Sequence, residues 1–268
     1  MPTIFKNVPK IDFACEQEPS SCCIEKSKVF HMTEQLYMQD SCLKEFEAKV
    51  VSVNGMHVFL DRTAFYPNSG GQLGDMGSIV RLSNGLRFSV LNATKSPEGI
   101  CHEVDKDGLV AGDSVKCAID WTRRYRLMRM HTAAHLLSAI FNKRAGVLIT
   151  GNQLGLENSR MDFSLEDFDR AMMADVCAEA NELIKKGVPV KIYFLPREEA
   201  MKIPGVIKLA GALPPTLETL RIVEIVGIDQ QLDGGTHVAN LSEIGEIEII
   251  KMENKGKANR RVYFSVKP

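Results

Sequence analysis

The sequence contains no long apolar run, no disulfide pattern and no large excess of charge. No stretch approaches the roughly 18 apolar residues of a membrane-spanning helix, and no apolar segment near Met1 predicts a secretory signal. The seven cysteines are odd in number and form no CxxC pair, which favours reduced cytoplasmic thiols over a disulfide framework. A net charge of −1 argues against a protein that coats nucleic acid by charge alone, although local basic patches remain compatible with it.

The common glycine-rich phosphate-binding motifs are also missing. The segment AFYPNSGGQLGDMGSI, residues 64–79, contains four closely spaced glycines. It has no GKS or GKT ending, and it is not a GxGxxG that opens a helix, so neither a P-loop nor a dinucleotide fold is predicted. Two interpretations stay open: a tight loop between strands, or a backbone that closely approaches a ligand.

The first half of the chain has the pattern of a β-domain. Residues 1–31 show no clear period, and we expect them to form a poorly ordered extension, with the folded protein starting near Met32. Residues 45–60 alternate apolar and polar side chains around an Asn54-Gly55 hairpin signal. Further short alternating runs follow at regular spacing. Residues 32–120 are therefore predicted to form a small β-barrel or sandwich.

The pattern changes at Trp121. The stretch WTRRYRLMRMHTAAHLLSAIFNKRAG has helical periodicity and ends at Gly146, so we predict a helix of about 20 residues. Helices and strands alternate after it. Residues 121–268 therefore form a predicted α+β domain, with the domain boundary near Asp120, and the whole chain is assigned to the α+β class.

Three histidines and one carboxylate form a candidate metal site. His131 and His135 are four residues apart in RMHTAAHLL, which places both imidazoles on one face of a helix. His237 follows Asp233 in the late segment LDGGTHVAN. Three histidines and a carboxylate can bind Zn²⁺ with four-coordinate geometry. An isolated HxxxH pair is weak evidence, but half of all the histidines of the chain lie in these two short segments.

Four arginines precede the histidines within one and a half helical turns. Such a cluster suits an anionic partner such as an RNA phosphate backbone. A solvated helix start would explain the same pattern equally well. The candidate nucleic-acid-binding residues are Arg123, Arg124, Arg126 and Arg129.

RMHTAAHLL, the late GGTHV and the earlier FYPNSGGQLGD together resemble the editing machinery of alanyl-tRNA synthetase and the free-standing AlaX proteins. The resemblance covers nearly all of the chain after Met32. The chain resembles the medium-length AlaX class, which implies a β-barrel domain followed by a zinc-binding editing domain. The family pattern HxxxH…CxxxH maps onto His131, His135 and His237, with Asp233 in place of the cysteine. Zn²⁺, one ion per chain, is the implied cofactor.

The resemblance implies a deacylase that acts in trans on tRNA for alanine mischarged with serine, or with glycine as in the longer class, and that needs no ATP. His131 and His135 would be essential for catalysis. The resemblance implies that the loop Gly70, Gly71 and Gln72 approaches the editing site and contacts the substrate. Thr150 and Gln153 follow the HxxxH helix, and two interpretations of them stay open: polar contacts to the substrate, or residues of a turn. A polar partner for the seryl hydroxyl would reject alanine better than an apolar pocket could.

Two alternatives belong to other functional classes. One is a tRNA-binding module without catalysis, in which the aspartate at position 233 marks a degraded metal site. The other is a metal-dependent hydrolase of a small molecule, which would act on free esters without a salt-sensitive interaction with tRNA. The sequence gives no indication of the oligomeric state.

Overall fold

Six antiparallel strands in the first half of the chain close into a β-barrel. The computed structural model of the protein describes residues 33–165, 170–208, 217–256 and 259–268. Around the barrel the strand order is β2-β3-β7-β6-β5-β8, and the parallel pair β1-β4 lies outside it. The strands of this half are β1 Glu34–Gln35, β2 Glu45–Asn54, β3 His57–Leu60, β4 Arg62–Thr63, β5 Gly77–Arg81, β6 Arg87–Ser96, β7 Gly99–Val104 and β8 Ser114–Ile119.

The barrel follows from the alternating pattern of its strands. In β2, Phe46, Ala48 and Val50 are buried while the residues between them are exposed, because successive side chains of a strand point to opposite faces. The predicted hairpin between β2 and β3 is confirmed, with Asn54 paired to His57 across the turn. The inward residues of all six strands form one apolar core.

The second half combines helices with two antiparallel sheets. The sheet orders are β14-β15-β10-β9 and β11-β12-β13. The elements of this half are α1 Trp121–Ala145, β9 Ile149–Gln153, β10 Ser159–Phe163, α2 Arg170–Lys185, β11 Val190–Pro196, α3 Arg197–Ala200, β12 Thr219–Ile225, β13 Asp229–Leu232, β14 Glu246–Asn254 and β15 Arg260–Lys267. Short 3₁₀ turns occur at Leu36–Met38 and Leu241–Ile244.

Helix α1 lies at the centre of a second apolar core. It is buried over most of its length, from Leu127 to Phe141. The ring of Phe141 packs 4.5 Å, centroid to centroid, from that of Phe163 in β10. A buried ion pair between Arg124 in α1 and Asp75 in the glycine-rich segment connects the helix to the barrel half.

The mixed α+β class and the N-terminal barrel are confirmed, and the predicted helix from Trp121 to Gly146 is confirmed as α1, 25 residues long. The division of the chain near Asp120 stays a prediction, and the predicted extension of residues 1–31 lies outside the described residues. Within the described ranges, no helix is long and apolar enough to cross a membrane.

Candidate metal centre

Helix α1 supplies two of the four candidate ligands. Its N-terminus is capped by Asp120, whose side chain accepts the backbone N–H of Arg123 at 3.2 Å, as expected of an N-cap carboxylate. Its C-terminus is closed by Gly146 in the left-handed conformation. One turn separates His131 from His135, and both are buried at 3% and 6% exposure. The helix therefore presents two rigidly held imidazoles to the interior.

The other two ligands lie on the loop that follows β13. Asp233 and His237 are brought against α1 by a tight turn at Gly235. A Cβ atom at residue 235 would overlap the imidazole of His131 and lie 3.0 Å from Oδ2 of Asp233. Only glycine lets the backbone approach the ligands this closely. The same turn lets the Gly235 N–H donate to Oδ2 of Asp233 at 2.5 Å.

The four side chains converge on one point. One ligand atom from each of His131, His135, Asp233 and His237 lies within 4.8 Å of the others. Oδ2 of Asp233 is 2.9 Å from Nε2 of His237, while Oδ1 is 3.5 Å from Nε2 of His131 and 3.9 Å from Nε2 of His135. Three imidazole nitrogens and a carboxylate therefore surround a space of the size that a metal ion needs.

Hydrogen bonds fix the tautomer of His131. Gln72 donates its amide Nε2–H to Oγ1 of Thr236 at 2.9 Å, so its Oε1 faces Nδ1 of His131 at 2.8 Å. Nδ1 must then donate its proton, because an amide oxygen can only accept. The lone pair of Nε2 is left pointing at Asp233. Metal-binding histidines are commonly oriented by a partner of this kind.

Thr132 fixes His237 in the same way. Its hydroxyl donates to the carbonyl of Met128 at 2.9 Å, so its oxygen accepts the N–H of Val238 and Nδ1–H of His237 at 3.2 and 3.1 Å. In the neutral imidazole of His237, Nε2 is then unprotonated, and it lies 2.9 Å from a carboxylate oxygen that can only accept. Two acceptors face each other, an arrangement that a cation between them would stabilise. The residues fit a metal ion.

Burial keeps the histidines in the form that binds metals. It lowers the pKa of His131 to about 4, with the nearby Asp233 carboxylate opposing the shift. Burial also lowers the pKa of His135 and His237. For Asp233, burial by itself raises the pKa, but the neighbouring histidines hold the pKa of this carboxyl well below its usual range. Neutral imidazoles and an ionised carboxylate are the ligand forms that a divalent ion requires.

The glycine-rich loop reaches the centre directly. Gln72 is fully buried against His131, whereas Gly70 two residues earlier is exposed. The carbonyl of Gly71 accepts the N–H of Leu154 at 2.7 Å, and a Cβ atom at residue 71 would collide with Asn152. The structure thus brings one of the predicted substrate residues, Gln72, into contact with a predicted metal ligand. The role of this loop in binding substrate stays a prediction.

Thr150 and Gln153 lie elsewhere. Both are exposed on β9. The hydroxyl of Thr150 donates to Asn259 at 3.3 Å, and Oε1 of Gln153 accepts Nε–H of Arg160 at 3.0 Å. These contacts place neither side chain among the four ligands.

The predicted arginine surface needs correction at Arg124. Arg124 is fully buried and forms an ion pair with Asp75, while it also donates to the carbonyl of Ser41 at 2.9 Å. Arg126 donates to main-chain carbonyls of the second half at 2.8 and 2.5 Å, and Arg129 donates to that of Ile244 at 3.0 Å. Arg124 therefore cannot meet an RNA phosphate, and Arg126 and Arg129 hold the helix to its neighbours.

Arg123 is the most N-terminal member of the predicted arginine cluster. It is half-buried, and its Nε donates to the carbonyl of Gly74 at 3.1 Å. All four arginines thus make contacts within the protein, and binding of RNA by Arg123, Arg126 and Arg129 stays a prediction.

Several residues around the centre were not predicted. Thr132 and Thr236 orient the ligands, and Arg221 in β12 donates to the main chain of Asp233 at 2.8 Å. The signal for the two threonines was available, since each stands beside a ligand within a motif. Arg221 had no such signal, because it is distant from the ligand motifs in sequence and strand pairing brings it beside Asp233.

Family models match two parts of the chain. Residues 19–123 match the model described as tRNA synthetases class II (A), and residues 220–263 match the threonyl and alanyl tRNA synthetase second additional domain. The latter range includes Asp233 and His237. A barrel followed by this histidine centre thus defines a relative of domains found in aminoacyl-tRNA synthetases.

Curated relatives narrow the class further. The alanyl-tRNA editing protein AlaX-M of Saccharolobus solfataricus is 50% identical over 239 residues, which cover 88% of this chain and 100% of that protein. The alanyl-tRNA editing protein AlaX-M of Methanosarcina barkeri is also 50% identical, over 88% of this chain and 99% of that protein. The alanine–tRNA ligase of Saccharolobus islandicus is 37% identical over 82% of this chain, but over only 25% of its own length. The chain belongs to the AlaX-M family of alanyl-tRNA editing proteins, and the resemblance seen in its motifs is confirmed.

Proposed function

We propose that this protein is a trans-acting alanyl-tRNA editing hydrolase. It would hydrolyse the ester that joins a wrong amino acid, chiefly serine and also glycine, to tRNA for alanine. The observation that carries the proposal is the donor set: one ring nitrogen from each of three imidazoles and one carboxylate oxygen, all within 4.8 Å of one another, in a chain about 50% identical to AlaX-M proteins.

Zn²⁺ is the ion that we propose for this centre. Nε2 of His131, His135 and His237 would bind it together with the carboxylate of Asp233. Nitrogen and carboxylate ligands are common in zinc sites, so aspartate can replace the cysteine of the family pattern. When bound, the ion supplies a Lewis acid that polarises the ester carbonyl.

The chain's own residues prepare this chemistry. Gln72 and Thr132 hold the Nδ1 protons of His131 and His237, which keeps both Nε2 atoms available as ligands. The three histidines are almost fully buried and the Asp233 side chain is 20% exposed, and electrostatic interactions are stronger in a buried site than in water. The barrel and the helix therefore preorganise the donors, and no rearrangement of the ligands is needed when the substrate arrives.

We propose that the loop from Gly70 to Gln72 selects the substrate. It runs from the surface to the centre within three residues, and Gly71 is held against Leu154 and Asn152. Polar groups at such a position can recognise the hydroxyl of a seryl ester, whereas an apolar pocket separates serine from alanine poorly.

Turnover of a mischarged tRNA tests the proposal. Purified protein is mixed with seryl-tRNA for alanine before chelation, after chelation and after Zn²⁺ re-addition, with alanyl-tRNA for alanine as the control substrate. We expect hydrolysis of the seryl ester that is lost on chelation, returns with Zn²⁺ and spares the alanyl ester. His135→Ala should abolish it. His57→Ala, at an exposed histidine of β3, is the matched control and should retain full activity.

The other outcomes identify the alternatives. Bound tRNA without turnover would overturn the proposal in favour of a non-catalytic tRNA-binding module, the alternative that the aspartate at position 233 favours. If small free esters are hydrolysed as fast as seryl-tRNA, and if the rate does not depend on salt, the protein is a small-molecule hydrolase. Full activity of His135→Ala would refute the metal centre.

A further inference from the structure

Arg221 is a buried arginine directly behind the candidate metal centre. It lies in β12 at 5% exposure. In the pairing of β12 with β13, Ile222 is opposite Leu232, so the next pair along the strands brings Arg221 beside Asp233. The backbone N–H of Asp233 donates to the carbonyl of Arg221 at 3.3 Å. Main-chain pairing thus fixes the separation of the two residues.

The guanidinium of Arg221 adds side-chain contacts to this pairing. Nη1 donates to the main-chain carbonyl of Asp233 at 2.8 Å and lies 3.9 Å from its Oδ2 atom. Nε donates to the carbonyl of Met38 at 2.8 Å. A planar, rigid guanidinium suits this arrangement, because it can direct several donors to fixed positions at once. One residue therefore holds the start of the ligand loop and faces its carboxylate.

The position of this charge is costly for the fold. Nη2 of Arg221 is one of two buried side-chain polar atoms among the described residues that have no hydrogen-bond partner, and the other is Nδ1 of His135. A buried unpaired donor costs about 1–3 kcal/mol, and more for a charged group. Both of these atoms belong to residues at the centre. A fold that needed only to tie β12 to Met38 could do so with a neutral side chain.

We propose that Arg221 is a positioning residue that holds Asp233 in its ligand position, so that Oδ1 faces the histidine nitrogens whether or not an ion is bound. Its positive charge offsets the approach of the carboxylate to the electron-rich imidazoles. This inference rests on the metal centre of the proposed function, but it concerns ion binding and not turnover.

A purely structural role makes a different prediction from a positioning role. If Arg221 only supports the fold, its loss lowers stability, and any loss of metal affinity is independent of the residue at position 233. If it acts through the carboxylate of Asp233, its loss has little further effect once that carboxylate is gone. A double-mutant cycle separates the two, because coupled residues give non-additive effects.

The experiment measures Zn²⁺ affinity of the full chain by competition with a chromophoric chelator. The four proteins are wild type, Arg221→Met, Asp233→Asn and the double variant. We expect Arg221→Met to weaken binding about 10- to 100-fold, as loss of an outer-shell partner does, and to change it by less than about threefold when Asp233→Asn is already present. Equal losses in both backgrounds, or no loss in wild type, would overturn the proposal.

Two further variants serve as controls for this experiment. Arg260→Met removes another buried arginine, whose guanidinium bonds, among the described residues, to Asn254, Gly256 and Asn259, and it should leave Zn²⁺ affinity unchanged. Arg221→Lys keeps the charge but lacks the planar fork, so we expect an intermediate loss in wild type and none in the Asp233→Asn background. If Arg221→Met does not fold, Arg221→Lys takes its place in the double-mutant cycle. Tight Zn²⁺ binding without turnover would refute the proposed function and leave the cycle valid.

Discussion

Replacement of Gln72 by leucine tests whether the barrel half controls the metal centre. The amide of Gln72 connects two parts of it: Oε1 accepts from Nδ1 of His131 at 2.8 Å, and Nε2 donates to Oγ1 of Thr236 at 2.9 Å. Leucine has a similar size but neither an acceptor nor a donor. The substitution therefore removes the partner that fixes the ring and tautomer of one ligand, while it leaves all four ligands in the sequence.

The magnitude follows from the two shorter bonds that are lost; a third, from the N–H of Thr236 to Oε1, is long at 3.4 Å. An outer-shell partner of a metal-binding histidine accounts for about 10- to 100-fold in affinity, or about 1.4–2.8 kcal/mol. The metal-free protein should also lose stability, because the buried Nδ1–H of His131 and the hydroxyl of Thr236 lose their partners. At about 1–2 kcal/mol for each of the two groups, the free energy of unfolding should fall by about 2–4 kcal/mol.

Two measurements check this prediction. Zn²⁺ affinity is measured by chelator competition, and the stability of the metal-free protein by urea unfolding. Gln72→Glu is the matched variant, since its carboxylate still accepts from His131 and should keep Zn²⁺ affinity within about tenfold of wild type. If Gln72→Leu binds Zn²⁺ as tightly as wild type, Gln72 does not orient His131, and our account of the tautomer is refuted.

Three further variants probe other contacts. Gly235→Ala places a methyl group against His131 and should cost about 1–3 kcal/mol of stability and weaken Zn²⁺ binding in the same competition assay. Asp75→Asn leaves the charge of Arg124 buried without its partner and should lower the free energy of unfolding in urea by about 3–5 kcal/mol. His102 has a pKa lowered from 6.5 to about 4 by burial. As the pH falls, His102 of the unfolded chain therefore binds a proton at a higher pH than His102 of the folded protein, so up to about 3 kcal/mol of stability is lost between pH 6.5 and 4. His102→Asn should reduce this loss, as measured by urea unfolding across this pH range.

Each of these has a control or a contradicting result. Unchanged Zn²⁺ affinity in Gly235→Ala would show that the turn can relax away from the helix. Glu45→Gln, which breaks the exposed pair with Lys116, should cost far less than Asp75→Asn, and equal losses would contradict the buried-pair account. An unaltered pH dependence in His102→Asn would show that another group causes the acid sensitivity.

Local signals in the sequence predicted much of the fold and most of the ligands. The hairpin before His57 and the helix that contains His131 and His135 follow from alternation, helical periodicity and turn residues. Asp233 and His237 stand in one short motif. The closing of the barrel did not follow, because β8 pairs with both β2 and β5, and such distant pairing leaves no periodic trace in a single sequence.

The arginine cluster shows where local reasoning failed. Arg124 lies three residues before Leu127 and seven residues before His131. At these spacings it belongs to the buried face of the helix. Charge alone suggested a surface role, but its partner Asp75 lies in the barrel half and could not be identified from spacing. Helical phase should therefore have outweighed charge at this position.

The origin of the ligands in two distant segments has a consequence for the order of folding. Helix α1, with His131 and His135, is local in sequence and can form early, whereas the complete set requires Asp233 and His237 to dock on it. An ion that recognises four donors therefore binds the finished fold and not the unfolded chain. Zn²⁺ should accordingly slow unfolding and leave the early steps of refolding unchanged, so that metal uptake reports the final docking of the two halves of the site.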